Sequence, residues 1–424
     1  MDKWLIAGAS QLLTLKGASK RPKTGKAMND LGIIEDGAVA VEKDKIVAVG
    51  SREEVEMKAL KRWGSWEGVK HFDATGKVVM PGLIDPHTHL VYAGSREYEL
   101  HMRLNGKTYL EILEAGGGIL STTRMTQKAS VEELTEQAKA RLDRFLKHGV
   151  TTVEAKSGYG LTLEHELKQL RVAKKLDGEH PVDIVSTFMG AHAIPVEYRE
   201  KPEEYVKQII EEMIPQVASQ NLAEFCDVFC EKGVFTVEQS EKILLAGKAA
   251  GLIPKIHADE IEPMGGAELA ARIGAISADH LLKVSDKGIH AMAKVGVVAV
   301  LLPGTAFFLM TPFADARKII EAGVPVALST DCNPGSSPTE SLLFIMNLAC
   351  FHMKMTPAEV IVATTINAAH AIGRADRIGS LEAGKQADLV VLDMPNYMYL
   401  QYHYGVSEVK RVMKKGKWVV QGGK

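Results

Sequence analysis

The sequence predicts an α/β chain, a (β/α)8 barrel of the TIM type with a small β-sandwich domain built from both chain ends. Three observations predict it: both ends carry short strand signals, eight apolar runs punctuate the middle, and amphipathic stretches with helix-start chemistry separate those runs.

From the N-terminus, residues 38–41 and 46–49 flank the polar turn Lys43-Asp44-Lys45 as a hairpin. At the other end, 388–392 reads as a strand, and 412–413 and 418–420 flank the turn 414–417 as a second hairpin. Strand-rich ends around a long middle fit one composite β domain, residues 1–80 with 385–424, which brings the two ends together. The barrel then spans 81–384. Its apolar runs lie at 79–84, 150–155, 183–189, 225–229, 254–257, 275–279, 297–302 and 326–330. Between them, Ser130-x-x-Glu133 and Thr236-x-x-Gln239 are capping boxes, and Thr356-Pro357-x-Glu359 adds a proline at the first helical position. Eight strand–helix units favour a closed barrel over an open doubly wound sheet.

The composition narrows the function. With 46% hydrophobic and 25% charged residues, the 424-residue chain is neither disordered nor collagen-like. Lys plus Arg total 51 against 53 Asp plus Glu, so clustered cations for nucleic acid are not indicated. No apolar run reaches the ~18 residues of a membrane span, and the start turns polar at Gln11, Lys16 and Lys20, unlike a secretory signal. Cys226, Cys230, Cys332 and Cys350 are too few for a disulfide framework and read as reduced thiols of a cytoplasmic protein.

In a barrel, chemistry sits where strands end. The first run leads into Asp85-Pro86-His87-Thr88-His89, and residues i and i+2 of a strand share a face, so His87 and His89 can converge. Run five ends at His257-Ala258-Asp259-Glu260, run six at Asp279-His280, and run eight at Asp331-Cys332-Asn333-Pro334-Gly335. Any one of these alone reads as a structural hydrogen-bonder. Three imidazoles and a carboxylate from strands one, five and eight form a donor set suited to zinc or iron.

Here the sequence resembles the amidohydrolase superfamily over its whole length, on Pro81-Gly82-Leu83-Ile84-Asp85-Pro86-His87-Thr88-His89, the histidines ending runs five and six, Asp331, and the stretch 379–390. Within it the chain is most similar to the imidazolonepropionases of histidine degradation, on Lys156-Ser157-Gly158-Tyr159-Gly160-Leu161, Thr187-Phe188-Met189-Gly190-Ala191-His192, His257-Ala258-Asp259-Glu260, Leu302-Pro303-Gly304-Thr305 and Asn333-Pro334-Gly335-Ser336-Ser337. One departure is Cys332, where that family usually has Phe, which bears on packing or oxidation beside Asp331.

The resemblance implies metal-dependent hydrolysis of the cyclic amide C–N bond of 4-imidazolone-5-propanoate to N-formimidoyl-L-glutamate. It implies that His87, His89, His257 and Asp331 hold one divalent or trivalent ion, zinc or iron. A second ion would need a bridging group at the end of strand four; Lys232 is the candidate and does not sit where the family has one. Glu260, His280 and Asp331 are the implied proton carriers. Arg96, Tyr159, His192, Glu260, Asn333, Gly335 and Ser336 are the implied substrate binders, with Arg96 the carboxylate clamp. A small-molecule substrate and a homodimer follow, with no nucleic acid and no membrane. Gly116-Gly117-Gly118 lacks phosphate-loop context and reads as a mobile loop near the pocket mouth. Two other readings are an aminohydrolase of purines or pyrimidines, which needs no carboxylate clamp, and a non-catalytic scaffold, which would have lost its ligands.

Overall fold

The computed structural model describes residues 2–421, with the backbone alone for residues 109, 110 and 113. Eight strands form the barrel: β1 (Leu83–Thr88), β2 (Val150–Lys156), β3 (Asp183–Ala191), β4 (Phe225–Cys230), β5 (Ile253–Ala258), β6 (Ser277–His280), β7 (Val298–Leu301) and β8 (Val326–Leu328). They pair in sequence order and parallel throughout. The barrel closes between β8 and β1 at the C-terminal ends of the strands: Asp331 N donates to His87 O at 3.1 Å and His89 N to Cys332 O at 3.0 Å. Covered on both faces, such strands read as near-continuous apolar runs, which is why they were visible in the sequence.

The intervening helices start where expected. Both capping boxes are formed, at Ser130 on Val131–Lys147 and at Thr236 on Val237–Ala249, and Thr356 makes a third on Pro357–Ala363. Between β3 and β4 the helical path widens into a π turn at Ile209–Met213. Pro215 follows two residues later, where a missing backbone donor disfavours regular α pairing.

Both chain ends build the remaining sheets. A four-stranded sheet orders Lys45–Ser51, Gly37–Glu42, Lys3–Ala9 and Val69–Asp73. A six-stranded sheet orders Lys417–Gln421, Val409–Lys414, Leu389–Leu392, Val78–Pro81, Gln11–Leu13 and Ile33–Ile34. One buried cluster containing Ile6, Val39, Ile46, Val79, Leu389 and Met413 joins residues of both sheets.

The run at 79–84 divides. Val78–Pro81 joins the six-stranded sheet, and β1 begins at Leu83 and extends to Thr88. Gly82 is the switch point: its N–H donates to Asp388 O at 3.1 Å, and a Cβ there would collide with the Thr151 side chain.

Candidate active site

The site lies where β1, β5, β6 and β8 end. His87 and His89 follow the pleat of β1 and carry their rings to one side, with centroids 5.5 Å apart. His257 comes up from β5, its ring centroid 4.5 Å from that of His87 and 5.7 Å from that of His89. Asp331 Oδ1 is 3.3 Å from His87 Nε2 and 3.6 Å from His89 Nε2. The ligand atoms of His87, His89 and Asp331 lie within 4.8 Å of one another, and so do those of His87, His257 and His280. His87 therefore belongs to both groups, and His280 stands closer to the ligand set than its implied role required.

These residues fit a cation. His87 Nε2, His257 Nε2 and His280 Nδ1 are buried without a hydrogen-bond partner, which native interiors rarely tolerate. The opposite nitrogens of two of these rings are held: His87 Nδ1 lies 2.6 Å from Asp279 Oδ2 and His257 Nδ1 lies 3.2 Å from Asp227 Oδ1. Carboxylates only accept, so each ring proton sits on Nδ1 and Nε2 is left bare. Burial first, then neighbouring cations, pushes His87 well below the ordinary histidine range; burial and nearby His192 and His257 do the same for His89. Neutral imidazoles are the form that binds metal.

The strand ends are backbone-strained. Asp259, His280 and Asp331 have φ of +52°, +76° and +54°. Non-glycine residues held in the left-handed region cost of order 1–3 kcal/mol each and cluster at functional sites. Local bonds compensate. Asp259 accepts from the backbone N–H groups of Gly265, Gly266 and Ala267. Thr305 Oγ1 donates to Asp331 Oδ2 at 2.6 Å and Asn333 Nδ2 to Asp331 O at 2.7 Å. Burial is the main cause raising Asp331 to about 6 and Glu260 to about 8, with Asp331 adding to the rise at Glu260. Glu260 Oε2 lies 3.6 Å from His280 Nδ1.

A cavity of about 390 Å3 opens above the metal candidates. Every implied substrate binder lines it: Arg96, Tyr159, His192, Glu260, Asn333, Gly335 and Ser336. His89, His257, His280 and Asp331 do too, whereas His87 lies fully buried beneath. His192 stacks on His89 with centroids 4.6 Å apart and planes 10° from parallel. Its Nδ1 donates to Gly158 O at 3.1 Å, and burial drives its pKa down to about 3. Asn333 Oδ1 accepts from Gly335 N and Ser336 N, both at 2.8 Å, so its amide oxygen shapes the turn.

Sequence reasoning missed Glu99. It holds Arg96 in a two-pronged pair, Nε at 2.7 Å and Nη2 at 2.6 Å. Arg96 Nη1 stays outside this pair and abuts Gly335, where a Cβ would collide with it. The glycine triplet serves this pair: Gly118 N donates to Glu99 Oε1 at 2.9 Å, and a Cβ on Gly117 would come within 2.8 Å of the same oxygen. The i, i+3 spacing of Arg96 and Glu99 was the available signal. Also missed was Glu231, whose buried carboxylate accepts from Ile261 N at 2.9 Å and Glu262 N at 3.2 Å and so braces the loop bearing Glu260. Lys232 next to it is exposed and outside the ligand groups. Cys332 is fully buried and burial pushes its thiol well up, which favours a packing role over oxidation.

The model of the Amidohydrolase family matches residues 78–419. The imidazolonepropionase of Shouchella clausii is 65% identical over 415 residues, covering 98% of this chain and 92% of that protein. The imidazolonepropionase of Geobacillus kaustophilus is 64% identical over 424 residues, covering 100% and 99%. Among solved structures, an adenosine deaminase from Xanthomonas campestris with bound zinc superimposes with a TM-score of 0.71 at 20% identity, over 99% of this chain and 93% of that one.

Proposed function

The chain belongs to the amidohydrolase family, and from that membership we propose that it hydrolyses the ring amide C–N bond of 4-imidazolone-5-propanoate, giving N-formimidoyl-L-glutamate in the third step of histidine degradation. The observation that carries this reading is full-length identity above 60% with imidazolonepropionases. Residues 81–384 are the catalytic unit and 1–80 with 385–424 the accessory one.

His87, His89, His257 and Asp331 would hold one ion, zinc or iron. When bound, that ion supplies a water of lowered pKa, near 7, as a nucleophile at neutral pH. Arg96, fixed by Glu99, takes the propionate of the substrate through its remaining donors. Tyr159 and His192 wall the ring. Water adds to the carbonyl carbon, the C–N bond breaks, and the leaving nitrogen takes a proton. Glu260 and His280 lie 3.6 Å apart, close enough to relay that proton from the water side to the nitrogen. Asp331, whose Oδ2 accepts from Thr305 Oγ1, is the third proton carrier of this reading.

The chain works in the cytoplasm as a homodimer. Among the described residues no helix is long and apolar enough to cross a membrane. The exposed side chains of Phe351, Tyr402, Tyr404 and Val406 offer apolar surface to a second copy. The test is incubation with freshly made imidazolonepropionate, following loss of its ultraviolet absorption with and without chelator. Turnover that chelator abolishes is expected; no turnover in metal-replete protein would refute the reading.

A further inference from the structure

One buried cation beneath the cavity has no part in the chemistry above. Lys156 ends β2 with its ammonium fully buried, and it lies outside the cavity lining. Its Nζ is 2.7 Å from Glu154 Oε1, 2.7 Å from Asp227 Oδ2 and 3.6 Å from Asp279 Oδ2. Apolar side chains of similar volume would fill a barrel interior without the desolvation cost of four charges. The neighbouring Lys255 is buried as deeply; it donates to the backbone carbonyls of Pro86 and Ala371, both at 3.2 Å, and its Nζ lies 3.8 Å from Glu154 Oε1. Lys156 makes the closer carboxylate contacts, and two of its partners are the carboxylates that hold the proposed ligand rings.

We propose that Lys156 is a positioning residue for the metal site, a single ammonium that locks Asp227 and Asp279 and through them aims His257 and His87. The proposal rests on the reading of those two histidines as ligands and extends it. Asp227 bridges with separate oxygens, Oδ2 to Lys156 and Oδ1 to His257 Nδ1. Asp279 Oδ2 faces both Lys156 and His87 Nδ1, while its Oδ1 accepts from Ser277 Oγ at 2.7 Å. Glu154, two residues earlier on β2 and so on the same face, anchors the ammonium and accepts from the Thr187 hydroxyl. The clamp spans five strands: β2 supplies the cation, β4 and β6 the carboxylates, β1 and β5 the ligands. Partners of this kind orient ligand rings, and their loss commonly weakens metal affinity about 10–100-fold.

The experiment is Zn2+ competition against a chromogenic chelator, using the metal-stripped full chain and the variants Lys156→Met, Asp279→Asn and the pair. Lys156→Met should weaken Zn2+ binding about 10–100-fold, while KM at saturating Zn2+ stays near that of the parent. The pair restores the buried charge balance and serves where Lys156→Met does not fold. It should bind Zn2+ roughly tenfold more weakly than Asp279→Asn alone, because the His257 arm is freed as well. Affinity of Lys156→Met within about twofold of the parent, or of the pair within about twofold of Asp279→Asn, would overturn the proposal. A measurement on the parent is independent of variant folding: ring 15N shifts of the metal-free chain should put the proton of both His87 and His257 on Nδ1, and a proton on Nε2 of either overturns it. A parent that binds no Zn2+ refutes the ligand reading itself, whereas a parent and Lys156→Met that bind equally well refute the clamp alone.

Discussion

At the mouth of the barrel, buried nitrogens of His87, His257 and His280 meet no partner. One layer down, the carboxylates of Glu154, Asp227 and Asp279 and the ammonium of Lys156 are all engaged with one another or with neighbouring hydroxyl and ring groups. Unsatisfied polar atoms are costly unless something external completes them, while satisfied ones can hold geometry indefinitely. The upper layer is where the proposed ion would be held, and the lower one is placed to orient its rings.

Breaking the upper layer should have the largest effect. His87→Ala removes the residue common to both ligand groups, and loss of several kcal/mol of transition-state stabilisation corresponds to at least about 10³-fold in kcat/KM. Metal analysis of the purified variant should show depletion in parallel; an active variant would show that the ion is held elsewhere. Next comes Glu260→Gln, which keeps shape and removes the carboxyl proposed to carry the proton. It should lower kcat about 10²–10⁴-fold while metal content stays at the parental level, and a coincident loss of metal would make Glu260 a ligand. Smaller again is Arg96→Ala. A charge-assisted hydrogen bond contributes about 1.5–3 kcal/mol, so KM for a propionate-bearing substrate should rise roughly 10–150-fold with kcat less affected. An unchanged KM would reject the clamp and favour a substrate without a carboxylate. The mildest is Ser130→Ala, far from both layers. Losing one capping side chain should cost about 1 kcal/mol in denaturant titration and leave turnover unchanged.

The barrel strands were legible because burial on both faces writes them as apolar runs, and the helix starts because capping needs particular side chains at fixed spacing. His87 and His89 were legible because strand pleating brings i and i+2 together. What escaped depends on register between distant strands. Nothing near Lys156 names Asp227 or Asp279 as its partners, since only the alignment of β2, β4 and β6 makes them neighbours. Glu99 was hidden differently, on a loop-borne helix that binary patterning describes only as amphipathic. The break at Gly82 was missed because two strands of different sheets follow one another with a single residue between them, so their apolar residues read as one run.

The six-stranded sheet has a consequence for biosynthesis. Val78–Pro81 pairs with Leu389–Leu392, and a ribosome adding 5–20 residues per second needs roughly 15–60 s to travel from one to the other. Throughout that interval the nascent strand offers an open hydrogen-bonding edge, so this chain should depend on chaperone shielding, or on rapid local collapse of its first hairpins, until translation ends.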